Sequence, residues 1–121
     1  LVPAVPIMKG KLMNKFKVIR IGTDGSMSDH IVEGTDGPEF RGDNGMYKLL
    51  NCKLIEITGA VKDDKTYDLY LDEEGRYKEF ATLNHKATEY YHNSFDPDLS
   101  VYKEPLIVGT AALVDMKPIN E

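Results

Sequence analysis

The fold is decided by three stretches in the second half of the chain: TYDLYLDEEG (residues 66–75), TLNHKATEYYH (residues 82–92) and LIVGTAALV (residues 106–114). In the first stretch, Tyr67, Leu69 and Leu71 alternate with more polar neighbours, which predicts a strand with one buried and one solvated face. The second predicts a helix over residues 83–92, capped by Thr82, because its apolar side chains recur at helical spacing. The third is apolar on both faces, which is typical of a central strand.

Outward from this region, the sequence predicts a tight turn, further strands and a short helix. The acidic run at residues 72–75 predicts an exposed turn in which Gly75 supplies a positive φ. Residues 16–21 and, more weakly, 28–33 are predicted strands, and a Gly-rich loop leads to a short helix near 46–51 and a strand over 53–58. Together these segments predict an α+β fold, in which a small, mostly antiparallel sheet packs against one main helix, about residues 83–92.

Length and composition predict a single domain. The chain has 121 residues, of which 41% are hydrophobic and 29% charged, a balance typical of one globular domain. We expect residues 1–12 to be a tag-like or disordered N-terminal segment and residues 13–121 to form the α+β domain. A domain of this length has a small core, so assembly into a homodimer or other homo-oligomer would reinforce it.

The cysteine count indicates the cellular compartment, and the net charge indicates which kinds of partner are disfavoured. Cys52 is the only cysteine, so an intrachain disulfide is excluded and a cytoplasmic location is expected. The longest apolar run, residues 106–114, is too short to cross a bilayer. The net charge is −5, which disfavours duplex DNA as a partner.

Catalytic and metal-binding patterns fail on spacing. His85 and His92 are seven residues apart, a rise of about 10.5 Å along a helix, so they do not share a zinc ion. The acidic residues between 63 and 79 do not follow the spacing of a calcium loop. No base adjoins Cys52, which we expect to be a small buried hydrophobe. The sequence therefore predicts no catalytic residues, metal or cofactor.

The start of the predicted helix is the best candidate ligand site. Backbone N–H groups after Thr82, with Asn84 and His85, are suited to an anion such as a phosphate, and an aromatic side chain such as Tyr70 suits a nucleotide-like ligand. The candidate ligand- or partner-binding residues are Tyr70, Asp72, Glu73, Thr82, Asn84 and His85.

Several segments in order resemble a known family. LIEI (residues 54–57), YLDEEG (70–75), Leu83-Asn84 with Ala87, and IVG (107–109) resemble domain of unknown function family 3846, found in small proteins of bacteriophages, plasmids and bacteria. The resemblance covers about residues 46–115 and implies a compact α+β fold and a mobile-element setting. It brings no catalytic residues.

Three functional hypotheses follow. The first is a non-enzymatic accessory protein of a phage or mobile element, which binds a host protein or sequesters a signal in the host cytosol, as in counter-defence. The second is a binding protein for a nucleotide-like small molecule. The third is an uncharacterised hydrolase that uses Asp72, Glu73 and His85.

Overall fold

A computed structural model of the protein describes residues 13–78, 81–95 and 106–119. The expectation for residues 1–12 lies outside the described residues. Within the described residues, five strands form one antiparallel sheet, and two α-helices and a 3-10 turn accompany it. The described part of the chain is therefore α+β, as the sequence predicted.

The sheet has the spatial order β2-β1-β5-β4-β3. Its strands are β1 (Asn14–Ile21), β2 (Met27–Gly34), β3 (Ile55–Lys62), β4 (Lys65–Asp72) and β5 (Ala111–Val114). Strand β5 lies between the two hairpins, and all four of its residues are buried. The prediction of a central strand is confirmed, although that strand is shorter than residues 106–114. Gly109 interrupts it with a φ of 86°.

Two tight turns close the hairpins. Between β1 and β2 the turn contains Asp24 and Gly25, and Gly25 has a φ of 89°. Between β3 and β4 the turn consists of Asp63 and Asp64, with φ values of 53° and 64°. Two successive residues in the left-handed backbone conformation define the kind of two-residue turn whose twist matches that of the two strands it connects. Aspartate tolerates this conformation better than most residues, which explains its use here.

The helices and the loop before the first of them cover both faces of the sheet. Helix α1 (Met46–Leu50) packs on one face, which we call the α1 face, and helix α2 (His85–His92) packs on the other, the α2 face. The core of the α2 face includes Ile19, Ile21, Leu69, Leu71, Ala87, Tyr90 and Leu113. The core of the α1 face includes Val18, Val32, Met46, Leu50, Tyr70 and Val114. The second half of strand β4, from Leu69 to Asp72, is therefore buried on both sides.

The prediction that one face of β4 is solvated holds at Thr66, which is exposed, but was wrong at Tyr70. Tyr70 lies on that face and is only 3% exposed. Phe40, from the Gly-rich loop, packs edge-to-face on the Tyr70 ring at 5.9 Å between centroids. A loop without periodicity supplies this cover, so the alternation in β4 did not reveal it.

Helix α2 begins later than predicted. Asn84, not Thr82, is its N-cap, and the Asn84 side chain accepts a hydrogen bond from the Ala87 N–H at 3.1 Å. Leu83 is not helical because its backbone forms an isolated bridge with Val108. The short helix near 46–51 is confirmed as α1.

The acidic turn also differs from its prediction. A 3-10 turn over Gly75–Tyr77 follows β4, and Gly75 is not among the residues with positive φ. Gly75 is required for a different reason: a Cβ there would lie 2.8 Å from the Val108 carbonyl oxygen. Asp72, predicted to be exposed, is 7% exposed.

Candidate functional site

The structure distributes the six predicted site residues over several environments. Tyr70 lies under Phe40 on the α1 face, and its hydroxyl contacts Met116 Sδ at 3.9 Å. Burial raises the Tyr70 pKa, which favours the neutral phenol. Glu73 and His85 are exposed. Among the described residues, no hydrogen bond or ion pair joins His85 to Asp72 or Glu73. The hydrolase set is therefore not assembled there.

Asp72 holds the 3-10 turn against the rest of the fold. One carboxylate oxygen accepts the Glu74 N–H at 2.9 Å, and the other forms an ion pair with Lys78 at 2.5 Å. Lys78 also donates to the Asn51 carbonyl oxygen at 3.3 Å. The hydrogen bond to Asp72 is the main cause that raises the Lys78 pKa. These bonds join the end of β4 to the end of α1, so Asp72 is engaged in structure.

Asn84 is also engaged in structure. It is fully buried and its Nδ2 donates to the carbonyl oxygens of Ile21 at 3.0 Å and Gly109 at 2.9 Å. Its side-chain oxygen caps α2. The side chain thereby joins the start of α2 to the end of β1 and to the segment before β5.

Thr82 and Asp72, two of the six predicted residues, line the same cavity. It has a volume of about 240 Å³ and is also lined by Lys78 and Gly109. Because Asp72 and Lys78 neutralise one another there, the cavity presents no unbalanced charge from this pair. The three residues of the predicted anion site at the helix start therefore lie apart. Thr82 lines the cavity, whereas Asn84 is buried and His85 lies outside this cavity.

A larger cleft, missed by the sequence analysis, lies between β2 and the segment 43–51. Its volume is about 540 Å³, within the range of roughly 300–1,000 Å³ typical of small-molecule sites. We call it the β2–α1 cleft. Its polar lining residues are Arg20, Ser28, His30, Asp43, Asn44, Lys48 and Asn51, and its apolar ones are Ile31, Val32 and Leu49.

Strand register brings the polar side chains of this cleft together. Arg20 pairs with Ser28 and Val18 pairs with His30, so Arg20, Ser28 and His30 lie on the α1 face. Helix α1 contributes Lys48, and Asn51 ends it with a φ of 52°. The spacing of Ser28 and His30 indicates a shared face, but their proximity to Lys48 depends on the loop and cannot be read from periodicity.

Hydrogen bonds fix part of the cleft. The Arg20 Nε donates to the Leu49 carbonyl oxygen at 3.3 Å, which joins β1 to the end of α1. Ser28 Oγ and His30 Nε2 lie 2.8 Å apart and share a hydrogen bond. Outside the cleft, the hydrogen bond from the Ser26 hydroxyl is the main reason that the pKa of Asp24 is lowered. The positive charge of Arg20 lowers the same pKa by a smaller amount.

Among the described residues, no three His, Cys, Asp or Glu side chains lie close enough together to bind a metal ion. Neither the cleft nor the other titratable groups there form a metal site. Cys52 is half-buried beside the α1-face core. Burial, followed by the charge of Asp72, raises the Cys52 pKa, so the thiol form is favoured. Cys52 was expected to be a small buried hydrophobe, but it is only partly buried, at the margin of the α1-face core.

Comparison with protein-family models, with curated proteins and with solved structures found no match to this chain. In the part of the chain that the structure describes, no helix combines the length and apolar character needed to cross a bilayer.

Proposed function

We propose that the protein is a non-enzymatic binding protein and that the β2–α1 cleft holds its ligand. The observation that carries the proposal is the size and assembly of the cleft. Residues from the β1–β2 hairpin and from the segment 43–51, which are distant in sequence, converge on one volume of about 540 Å³. A site of mixed polar and apolar lining at this size is typical of small-molecule recognition.

The proposal combines two hypotheses from the sequence. A protein that sequesters a small signalling molecule needs a cleft and no reacting groups. The resemblance to small phage and plasmid proteins supplies the setting, in which such sequestration in the host cytosol would serve counter-defence. A nucleotide-like compound is the favoured kind of signal, because the cleft offers both charged and apolar walls.

A host protein is the second candidate partner. Strand β3 is an edge strand of the sheet, and Leu54 and Ile57 at this edge are 45% and 47% exposed. An exposed apolar edge is suited to pairing with an extended segment of another protein. Ile57→Lys would weaken such pairing without entering the β2–α1 cleft.

The test of the cleft uses thermal unfolding with a panel of nucleotides, sugar phosphates and carboxylic acids. Asn44→Trp is designed to fill the cleft from an exposed loop position, and Thr66→Trp is the matched control on the exposed surface of the β3–β4 hairpin. A ligand at 100 times its Kd stabilises the folded state by about 2.7 kcal/mol. For a domain of this size we expect a rise in Tm of roughly 10 °C.

The result expected is a compound that raises the Tm of the wild type and of Thr66→Trp but not of Asn44→Trp. A compound that raises all three equally binds outside the cleft and contradicts the assignment. Consumption of the compound during incubation, followed by one-dimensional NMR, would contradict a non-enzymatic role. A host protein whose binding is lost in Ile57→Lys and retained in Asn44→Trp would favour the second candidate.

A further inference from the structure

We propose that the β2–α1 cleft is selective for a small organic molecule that carries a phosphate group, with Arg20 and Lys48 as the residues that bind the phosphate. This inference rests on the proposed function, because it names the chemistry of the ligand at the same cleft. It follows from the charges of the cleft, from its hydrogen-bond donors and from its apolar walls.

The two cations of the cleft are available to a ligand. Arg20 uses its Nε for Leu49, and its terminal nitrogen atoms donate no hydrogen bond to the described residues. The bond to Leu49 restrains the guanidinium, which lowers the entropy cost of ordering it around an anion. Lys48 is exposed and forms no ion pair with a described residue. Guanidinium and ammonium groups together are well suited to phosphate oxygens.

The charge of the cleft is opposite to that of the whole chain. The chain has a net charge of −5. Among the residues that line the cleft, Arg20 and Lys48 face the single carboxylate of Asp43, which leaves one positive charge in excess even with His30 neutral. Asp24 lies outside this lining, and the charge of Arg20 acts on it as well. A positive cleft in an acidic protein concentrates anions locally while the remaining surface repels polyanions such as nucleic acid. This distribution favours a small anionic ligand.

Neutral donors supplement the cations. The Ser28 hydroxyl and the His30 ring are joined by a hydrogen bond of 2.8 Å and both line the cleft. A hydroxyl and an imidazole can each donate to a phosphate oxygen. Because Ser28 pairs with Arg20 across β1 and β2, the two side chains leave the sheet side by side on the same face.

The apolar walls and Asp43 distinguish an organic phosphate from a bare ion. Leu49 and the small exposed part of Val32 provide a surface for a ring or an alkyl group. Inorganic phosphate has no apolar part to fill this surface. The Asp43 carboxylate accepts hydrogen bonds from hydroxyl or amino groups and repels a second anion. An organic monophosphate therefore fits the cleft better than phosphate alone.

The test is isothermal titration calorimetry with adenosine 5′-monophosphate, adenosine, ribose 5-phosphate and inorganic phosphate. Wild type is compared with Lys48→Gln and with Lys53→Gln, a control that removes an exposed lysine outside the cleft. Lys48→Gln is expected to weaken binding of the monophosphate about tenfold or more, because one charge-assisted contact is lost. Added salt is expected to weaken the same binding.

The proposal requires that the monophosphate binds at least about tenfold more tightly than adenosine, and that Lys48→Gln reduces this difference while Lys53→Gln does not. Equal binding of adenosine and the monophosphate would overturn the phosphate assignment but leave the binding function standing. Inorganic phosphate that binds as tightly as the monophosphate would overturn selectivity for an organic phosphate. If no phosphate compound binds, the inference fails. The Asn44→Trp comparison then still decides separately whether the cleft binds another class of compound.

Discussion

Replacement of Asn84 by alanine is expected to destabilise the fold strongly, because one side chain makes three hydrogen bonds in a buried position. Asn84→Ala removes the cap of α2 and the donors to the Ile21 and Gly109 carbonyl oxygens. A lost cap costs about 1 kcal/mol. An unsatisfied buried carbonyl costs about 2 kcal/mol and a partly buried one about 1 kcal/mol. We therefore expect a loss of about 4 kcal/mol from a folding free energy of roughly 5–15 kcal/mol.

The serine variant separates the contribution of the helix cap from that of the bridge, by which we mean the two Asn84 hydrogen bonds to the Ile21 and Gly109 carbonyl oxygens. Asn84→Ser retains a good N-cap oxygen but cannot reach both carbonyl groups, so we expect it to recover only about 1 kcal/mol of the loss. The matched control is Asn93→Ala at the other end of α2. There the side-chain bond to the Val61 carbonyl oxygen is exposed, and we expect a change below about 0.5 kcal/mol.

Urea unfolding followed by circular dichroism measures these differences, since the chain has no tryptophan to report by fluorescence. The m-values should remain equal, so that differences in midpoint report stability. A cost below about 1 kcal/mol for Asn84→Ala would refute the assignment of Asn84 as a bridge. Full recovery in Asn84→Ser would show that only the cap contributes.

Three further predictions concern turns, close contacts and pH. Gly75→Ala should lose about 1–3 kcal/mol, because the new Cβ would lie 2.8 Å from the Val108 carbonyl oxygen. Gly59→Ala, which meets no atom within 4 Å, should instead gain up to about 1 kcal/mol in the same urea experiment; a loss in Gly59→Ala equal to that in Gly75→Ala would contradict this. Asp64→Gly should raise the Tm by a few degrees, since Asp64 has a φ of 64° at the hairpin turn, and a lower Tm would argue against relief of backbone strain there. The hydrogen bond from Lys65 lowers the pKa of Asp115 in the folded protein. The ion pair therefore stabilises the fold above the unfolded-state pKa of about 3.9, and this stabilisation is lost as the pH falls through the lower pKa of the folded state. Asp115→Asn should therefore be less stable than wild type at pH 7 by less than about 1 kcal/mol, as for a partly exposed pair, and the difference should vanish near pH 2; a difference that persists in acid would reject the ion pair as its cause.

Periodicity and turn chemistry predicted the sheet because these signals are local. The apolar run at residues 106–114 indicated a strand covered on both faces, and β5, which occupies four of its last residues, Ala111–Val114, lies at the centre of the sheet. Asp63 and Asp64 interrupted a strand pattern and form the turn of the β3–β4 hairpin. Each of these features depends mainly on neighbours within a few residues.

The misses depend on contacts between distant segments. Thr82 and Asn84 are both good caps, and the choice of Asn84 agrees with its bonds to Ile21 and Gly109 across the fold. Tyr70 is buried by Phe40, which comes from a loop without periodicity. The β2–α1 cleft requires both the β1–β2 register and the path of that loop. Single-sequence patterns contain neither, so the site could not be predicted although the strands could.

The most direct test of the binding function is a ¹⁵N–¹H NMR titration with the tightest compound of the panel. If the ligand binds in the β2–α1 cleft, the amide resonances of residues 28–32 and 48–51 should move together with one Kd, while those of the β3–β4 turn at residues 62–65 stay in place. Shifts confined to residues 72–85, or centred on the β3–β4 turn, would contradict the assignment of the ligand to the β2–α1 cleft.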